Sequence, residues 1–300
     1  MLELNDDAVF YAFSADLEPV MTIKSGDTVR IRTQDCFANQ LKADNTIDGL
    51  DWDRVNPATG PIYIEGAEPG DVLKVHLHAI DVDSKACMCT GEAEGTCGDL
   101  FADGLVNVVK PVVDGKLIWD EGVELDCRPM IGVIGVAPEP GKSINCGTPD
   151  HHGGNMDTTI IEAGATLYFP VSVEGALFGC GDVHAVMGDG EISVSGAEIA
   201  SWVTASFEVL KDRSLTNPAL LNDTQFCTIA SEPSLDAACD TAVHDMVRIL
   251  SERCEGISTE DLVMLLSLCA DVQVSQIVDP QKTARFVVPR RVVEAYGFTW

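Results

Sequence analysis

Basic residues are scarce in this chain. Across 300 residues, 19 Lys and Arg stand against 48 Asp and Glu, a formal net charge of −29. A chain this acidic repels phosphate backbones and anionic lipid, which argues against nucleic acid and membrane surfaces as partners. The charge reads as a solvated coat and suits a small neutral or cationic substrate. Long apolar runs are missing too, so no segment reaches the length of a membrane span. The opening Met1-Leu2-Glu3-Leu4-Asn5-Asp6-Asp7 is acidic and has no apolar stretch of the secretory kind, which predicts a cytoplasmic chain. The 11 cysteines are then expected as reduced thiols, many of them buried. Cys87, Cys89 and Cys97 form the one local cluster, and their spacing matches no zinc pattern. There is no Gly-x-Ser-x-Gly elbow, no internal repeat and no low-complexity segment.

A hydrophobic share of 46% is enough for a large core that needs no disulfides, in one domain or two. Residues 8–35 read as strands. Val9 to Phe13 is one, and Glu18–Ile23 and Thr28–Thr33 alternate around Ser25-Gly26-Asp27, a hairpin signal. Asp35 follows the second, where a strand end meets a loop; sites are built there, and so are turn caps. Residues 41–70 are punctuated by proline, with a short strand at Ile62-Tyr63-Ile64 ending in Glu65-Gly66, and Glu68 and Asp71 serving the turn around Pro69-Gly70. Val72 to Val82 alternates cleanly. Leu73, Val75, Leu77 and Ala79 share one face, and Lys74, His76 and His78 share the other; two histidines so spaced could ligate a metal, but the lysine in their row favours a solvent face. Residues 83–104 read as a long lid or binding loop. Short strands continue to about Leu210. Then Val243, Met246, Val247 and Leu250 form the stripe of an amphipathic helix, and Ser258-Thr259-Glu260-Asp261 opens a second like a capping box. Strands at Val272–Val278 and Arg285–Val288 close the chain. The expected fold class is mainly β with a C-terminal α+β segment, with residues 1–210 as a β-rich catalytic region and 211–300 packed on it as one compact unit.

The stretch from His151 to Glu191 gathers the chemistry. Asp182 and His184 are two apart, so on a strand they share one face, as two metal ligands would. If Met187-Gly188-Asp189-Gly190 is a four-residue hairpin loop, Val186 pairs with Glu191 and His184 with Ser193, which brings Glu191 to that face. A slip of one residue would undo this. A further strand is expected near 191–196. Asp189 sits between glycines and reads as a turn residue. Asp157, after Gly153-Gly154-Asn155-Met156, could belong to the site or only cap a turn.

Several segments resemble the acetamidase/formamidase family. They are Asp35-Cys36-Phe37-Ala38-Asn39-Gln40, the long run from Arg54 through Asn56-Pro57-Ala58-Thr59-Gly60-Pro61 to Glu65-Gly66-Ala67-Glu68-Pro69-Gly70-Asp71, Gly153–Asp157, Gly181-Asp182-Val183-His184 through Gly188-Asp189-Gly190-Glu191, and Asp279-Pro280-Gln281. They run nearly end to end, and the length is similar to that of the shorter bacterial and archaeal members. The resemblance implies a mostly β fold, hydrolysis of short amides such as formamide or acetamide to carboxylate and ammonia, and a bound divalent metal, zinc first and calcium as the alternative. It also implies a homodimer or larger homo-oligomer. Two departures bear on substrate choice: Met187 stands where many members have Gln, and the Cys-containing stretch 83–104 is not shared. On this reading Asp35, Asp182 and His184 hold the metal. Glu65 is the general base and then acid, with Glu191 as its alternative or a fourth ligand. Asn155 donates to the oxyanion, and Asp157 and Asn39 orient the ligands. Two other readings stay open. One is a non-catalytic metal- or small-ligand-binding protein on the same β scaffold; the other is a thiol mechanism through Cys36, beside Asp35.

Overall fold

The computed structural model of the protein describes residues 1–299. Its strands in chain order are β1 (Leu2–Leu4), β2 (Val9–Phe10), β3 (Ala12–Ser14), β4 (Met21–Lys24), β5 (Thr28–Thr33), β6 (Ala58–Glu65), β7 (Val72–Val82), β8 (Lys85–Gly91), β9 (Leu105–Val113), β10 (Lys116–Asp120), β11 (Val123–Asp126), β12 (Met130–Gly135), β13 (Ser143–Asn145), β14 (Gly153–Asn155), β15 (Thr166–Pro170), β16 (Phe178–His184), β17 (Ser201–Leu210), β18 (Ala219–Leu221), β19 (Gln225–Glu232), β20 (Asp271–Gln276) and β21 (Lys282–Pro289). Helices α1 (Leu235–Arg253) and α2 (Thr259–Cys269) separate β19 from β20, and α3 (Arg290–Glu294) follows β21. The fold is therefore mainly β with C-terminal helices, as its alternating patterns imply.

A nine-stranded sheet runs β1-β5-β17-β7-β15-β18-β19-β21-β20, so strands on both sides of residue 210 share one ladder. A second sheet runs β14-β12-β16-β6-β2, with β4 beside β6, and a four-stranded sheet runs β11-β10-β9-β8. The main core fills the space between the first two. Val29, Ile31, Leu73, Val75 and Leu77 meet Ile62, Ile64, Ile131, Ile134 and Val183 there, and Phe178 and Phe207 meet edge to face with centroids 4.9 Å apart. Each such side chain, fully buried, contributes about 1.5–3 kcal/mol. The opposite face of the nine-stranded sheet carries Val72, Tyr168, Phe226, Phe286 and Val288, and α1 covers it with Ala242, Met246, Ile249 and Leu250. The adjacent residues Val72 and Leu73 thus enter different cores, as a pleated strand requires. Ser258 caps α2 by accepting from the Asp261 amide, as the capping pattern predicts.

Several local expectations fail for identifiable reasons. Ser25-Gly26-Asp27 closes no hairpin: β4 pairs with β6 in parallel and β5 lies between β1 and β17. Alternation marks each strand as half-buried but says nothing about its partner. Val9–Phe13 splits in two, β2 pairing with β6 and β3 with β13. The 83–104 loop is about one-third strand. β8 pairs with β9 along its whole length, from Lys85 opposite Pro111 to Gly91 opposite Leu105, with the small residues Ala86, Cys87 and Cys89 buried. Residues 191–196 are not a strand; β21 is the last strand, as expected, with the short α3 after it. His76 and His78 do lie outside the core, bonded to Thr166 and Ser206.

Candidate functional site

Strand β12 lies between β14 and β16, and all of its residues are buried. Side chains from both neighbours converge over Gly132. A Cβ there would stand 2.4 Å from Asp157 Oδ1 and 2.4 Å from Asp182 Oδ2, so a missing side chain makes the space. At its centre is the buried imidazole of His184. Its Nε2 lies 3.2 Å from Glu198 Oε1, 3.5 Å from Asp182 Oδ1 and 3.7 Å from Asp157 Oδ1. Two sets of donors gather around it: Asp157, His184 and Glu191, and Cys36, Asp182 and Glu198, each with ligand atoms within 4.8 Å of one another. Asp157, Asp182 and Glu191 hold positive φ angles of +40°, +52° and +50°. Aspartate tolerates this region better than most residues, yet each such backbone costs on the order of 1 kcal/mol. The surrounding sheet holds that strain in place.

The electrostatics follow from burial. Loss of water pushes the carboxyls of Asp157, Glu191 and Glu198 above their usual range, and mutual repulsion adds to it. The partly exposed Asp279, reaching in from the β20–β21 connection, is raised in the same way. Burial disfavours charge on His184, but Glu198 and Asp182 outweigh it and raise the imidazole well above its ordinary value. Burial also opposes charge on Asp182, where His184 prevails and keeps the carboxylate ionised. Both oxygens of Asp157, both ring nitrogens of His184 and Glu198 Oε2 are buried without a hydrogen-bond partner. Orphaned atoms of this kind are costly unless something compensates them. A divalent cation fits the set: ligands at ~2.1 Å in a tetrahedron stand about 3.4 Å apart, close to the spacing around His184 Nε2.

The structure brings most of the expected residues together, with changes of role. Asp182 and His184 meet as the strand spacing implies. Glu191 arrives by a different route, because His184 bridges to Glu198 and not to Ser193, and residues 187–196 make a broad loop. Asp189 is more than a turn residue: its carboxylate takes both arms of the Arg285 guanidinium, at 3.0 and 2.6 Å, and pins that loop to β21. Asp157 stands within the cluster itself. Asp35 belongs to neither donor set. Its Oδ1 accepts from the Phe37 and Asn39 amides, its Oδ2 faces Cys87 Sγ, and burial lifts its pKa to about 6. In return the Asp35 amide donates to Asn39 Oδ1, so Asn39 orients Asp35. The Asn155 side-chain amide gives one of its two N–H donors to Asp279 Oδ2 at 3.0 Å, which leaves a single donor for any oxyanion. Glu65 is exposed and far away. Gly181 pairs with Ala58 at the start of β6, and Glu65 is seven residues further along, about 23 Å at the strand rise. His151 is held by Asp150 and Glu139, and His152 packs against Phe13; neither joins the cluster. Cys36 is surrounded by carboxylates, and burial with Glu198 and Asp182 raises its thiol well above the usual value, which makes a weak nucleophile.

Glu198 was not singled out from sequence. Its signal was a lone carboxylate in the apolar run Ala197-Glu198-Ile199-Ala200. Its backbone exchanges hydrogen bonds with Cys87 while also bridging to His184, joining the four-stranded sheet to the second sheet. Two cavities flank the cluster. One of about 560 Å³ is bounded in part by Glu191 and Gly196, and one of about 320 Å³ by Asp35, Lys42, Asp83, Lys85 and Cys87.

Fold and site together define a β-rich protein built around a buried carboxylate–imidazole centre with the donors for a cation. More particularly, the sequence profile of the Acetamidase/Formamidase family matches residues 2–145 and 142–295, and the chain belongs to that family. Its structure superposes on a predicted acetamidase/formamidase from Thermoanaerobacter tengcongensis with a TM-score of 0.97 and 49% identity, covering 100% of this chain and 99% of that one. The acetamidase of Bacillus halodurans gives 0.95 and 42%, over 99% and 100% of the two chains. The formamidase of Methylophilus methylotrophus is 26% identical over 265 residues, 69% of this chain and 65% of its own length. The match spans between 63% and 65% of the length of the curated relatives.

Proposed function

We propose that this chain is a metal-dependent amidohydrolase that cleaves linear amides to a carboxylate and ammonia. The observation that carries this reading is His184 Nε2 with three carboxyl groups within 3.7 Å, all buried and several of their atoms unpartnered, in a member of the Acetamidase/Formamidase family. The relatives named formamidase and acetamidase support short amides as substrates. His184 and Asp157, with Asp182, Glu198 and Cys36 beside them, would hold the cation, and Glu191, the third member of the first donor set, is left for proton transfer. The nitrogen and sulfur donors favour zinc, and the surplus of carboxylates leaves calcium as the harder alternative. Such an ion, when bound, supplies Lewis-acid polarisation of the amide carbonyl.

The chain's own groups do the rest. Glu191 lies between the cluster and the larger cavity, where its carboxyl takes a proton from the attacking water and returns it to the nitrogen as ammonia leaves. It assumes the base and acid role first considered for Glu65. Asn155 holds Asp279 against the cluster, and Asn39 holds Asp35 at its edge. Gly132 keeps the centre open.

Ammonia release from formamide and acetamide, before and after chelation and again with zinc or calcium restored, tests the reading. We expect activity and bound metal to fall together on chelation and in His184→Ala, and to return together on adding the ion to the wild type. Activity indifferent to chelation would remove the metal. Bound metal with no ammonia from any amide would favour a metal-binding protein without turnover.

A further inference from the structure

The cavity beside Glu191 is larger than formamide or acetamide needs. Its volume of about 560 Å³ lies within the ~300–1,000 Å³ that holds a drug-sized ligand, whereas acetamide offers a single methyl beyond its amide. Met88, Val108, Leu117, Trp119, Met187 and Ile192 line it. Leu117 is buried at its floor, and Trp119 and Ile192 are 41% and 58% exposed at its mouth. Glu191 and Gly196 line it as well. The Glu191 carboxyl belongs to the same donor set as His184, and a Cβ on Gly196 would stand 2.4 Å from His184 Nδ1. Glu191 and Gly196 therefore border both the cluster and the cavity. The smaller cavity, on the Asp35 side, mixes the charged Lys42, Asp83 and Lys85 with Leu41, Ala86 and Val109, and at about 320 Å³ offers less room.

We propose that the larger cavity receives the acyl group of the substrate, so that the amides this chain prefers carry a medium-length aliphatic chain or an arylalkyl group. The proposal rests on the amide hydrolysis argued above. The reaction is the same: water adds a C–O bond at the carbonyl carbon, the C–N bond breaks, and the proton lost by water leaves on ammonia. Only the acyl group differs, lying along Leu117 and Met187 with its far end at Trp119 and Ile192. Transfer of each methylene from water into such a cavity favours binding, and a reaction whose transition state retains that contact gains in kcat/KM.

The test is kcat/KM for ammonia release from acetamide, butyramide, hexanamide and phenylacetamide. Burial predicts a rise of about three- to fourfold per added methylene until the cavity is full. Ile192→Asp and Trp119→Asp, both at exposed positions, should pull the hexanamide-to-acetamide ratio down toward one. A flat or falling series in the wild type, with acetamide still hydrolysed, overturns the proposal and leaves the amidase reading intact. If no amide yields ammonia, the amidase reading fails, and the cavity is judged by phenylacetamide binding through a fluorescence change absent in Trp119→Phe; no such change ends the proposal as well. If Trp119→Asp instead converts an oligomer to a monomer and leaves the substrate series unaltered, a second copy of the chain covers this surface and the proposal is wrong.

Discussion

Gly132 contributes to the site by having no side chain. It is not one of the residues with positive φ, so alanine suits its backbone, yet a methyl would meet Asp157 and Asp182 at 2.4 Å. Gly132→Ala should keep the far-ultraviolet circular dichroism of the wild type while ammonia release falls by about a hundredfold, the order of loss for an ångström-scale misplacement. His152 gives a prediction away from the chemistry. Burial against Phe13 holds its pKa down to about 3, against ~6.5 in the unfolded chain. Between those values the unfolded chain binds a proton that the native chain refuses. The stability His152 contributes is thus complete above pH ~6.5 and is lost as pH falls through about 3, a few kcal/mol at the acid end. Urea midpoints measured from pH 7 to 4 should fall less steeply in His152→Leu than in the wild type. At this scale the sequence was informative. Asp182, His184, Asp157 and Glu191 were all marked by residue type and spacing. Glu198 carries only a weak local mark, a lone carboxylate in an apolar run, which does not by itself tell a group that faces water from one that faces an imidazole.

Among the elements, the loop between β16 and β17 matters most, because it delivers both Glu191 and Glu198. Its anchor is the Asp189–Arg285 pair, in which the arginine is 3% exposed and the aspartate side chain 43%. Asp189→Asn would leave a guanidinium buried without its counter-charge. The expected cost is at most about 3 kcal/mol, the lower end for a broken buried pair because Asp189 keeps some access to water. A double change to Asn at 189 and Met at 285 should recover part of it, and thermal unfolding of the two variants beside the wild type checks this. The anchored loop also explains why the hairpin register inferred from sequence failed while its conclusion held. A four-residue turn is the default for a Met-Gly-Asp-Gly stretch, but the bond to Arg285 and the bridge from Gly190 to Gln276 open it into a wider loop. Those partners lie almost a hundred residues downstream, beyond the reach of any local pattern.

For the whole molecule, the site draws on residues from Cys36 to Asp279, and the nine-stranded sheet passes through strands on both sides of residue 210. Loss of activity in urea should therefore coincide with loss of circular dichroism, in one transition; an activity midpoint well below the structural one would show a site that opens by itself. A divalent cation that binds only the native cluster raises the unfolding temperature as its concentration rises, and His184→Ala should abolish that dependence.

The sequence by itself determined what local periodicity encodes. The two-residue alternation of β7, the helical stripe of α1 and the capping serine of α2 follow from how each residue's neighbours along the chain are oriented. So does the shared placement of Asp182 and His184 on β16. Motif order along the chain carried the family resemblance. Tertiary structure alone decided which strands pair, since alternation specifies a face and not a partner. It moved Asp35 to the edge of the cluster, sent Glu65 to the far end of β6, brought Glu198 and Asp279 inward, and set an apolar cavity beside Glu191. Each of these depends on groups remote in sequence becoming neighbours and losing water together, and that loss of water is what turns ordinary carboxylates into a centre able to hold a cation.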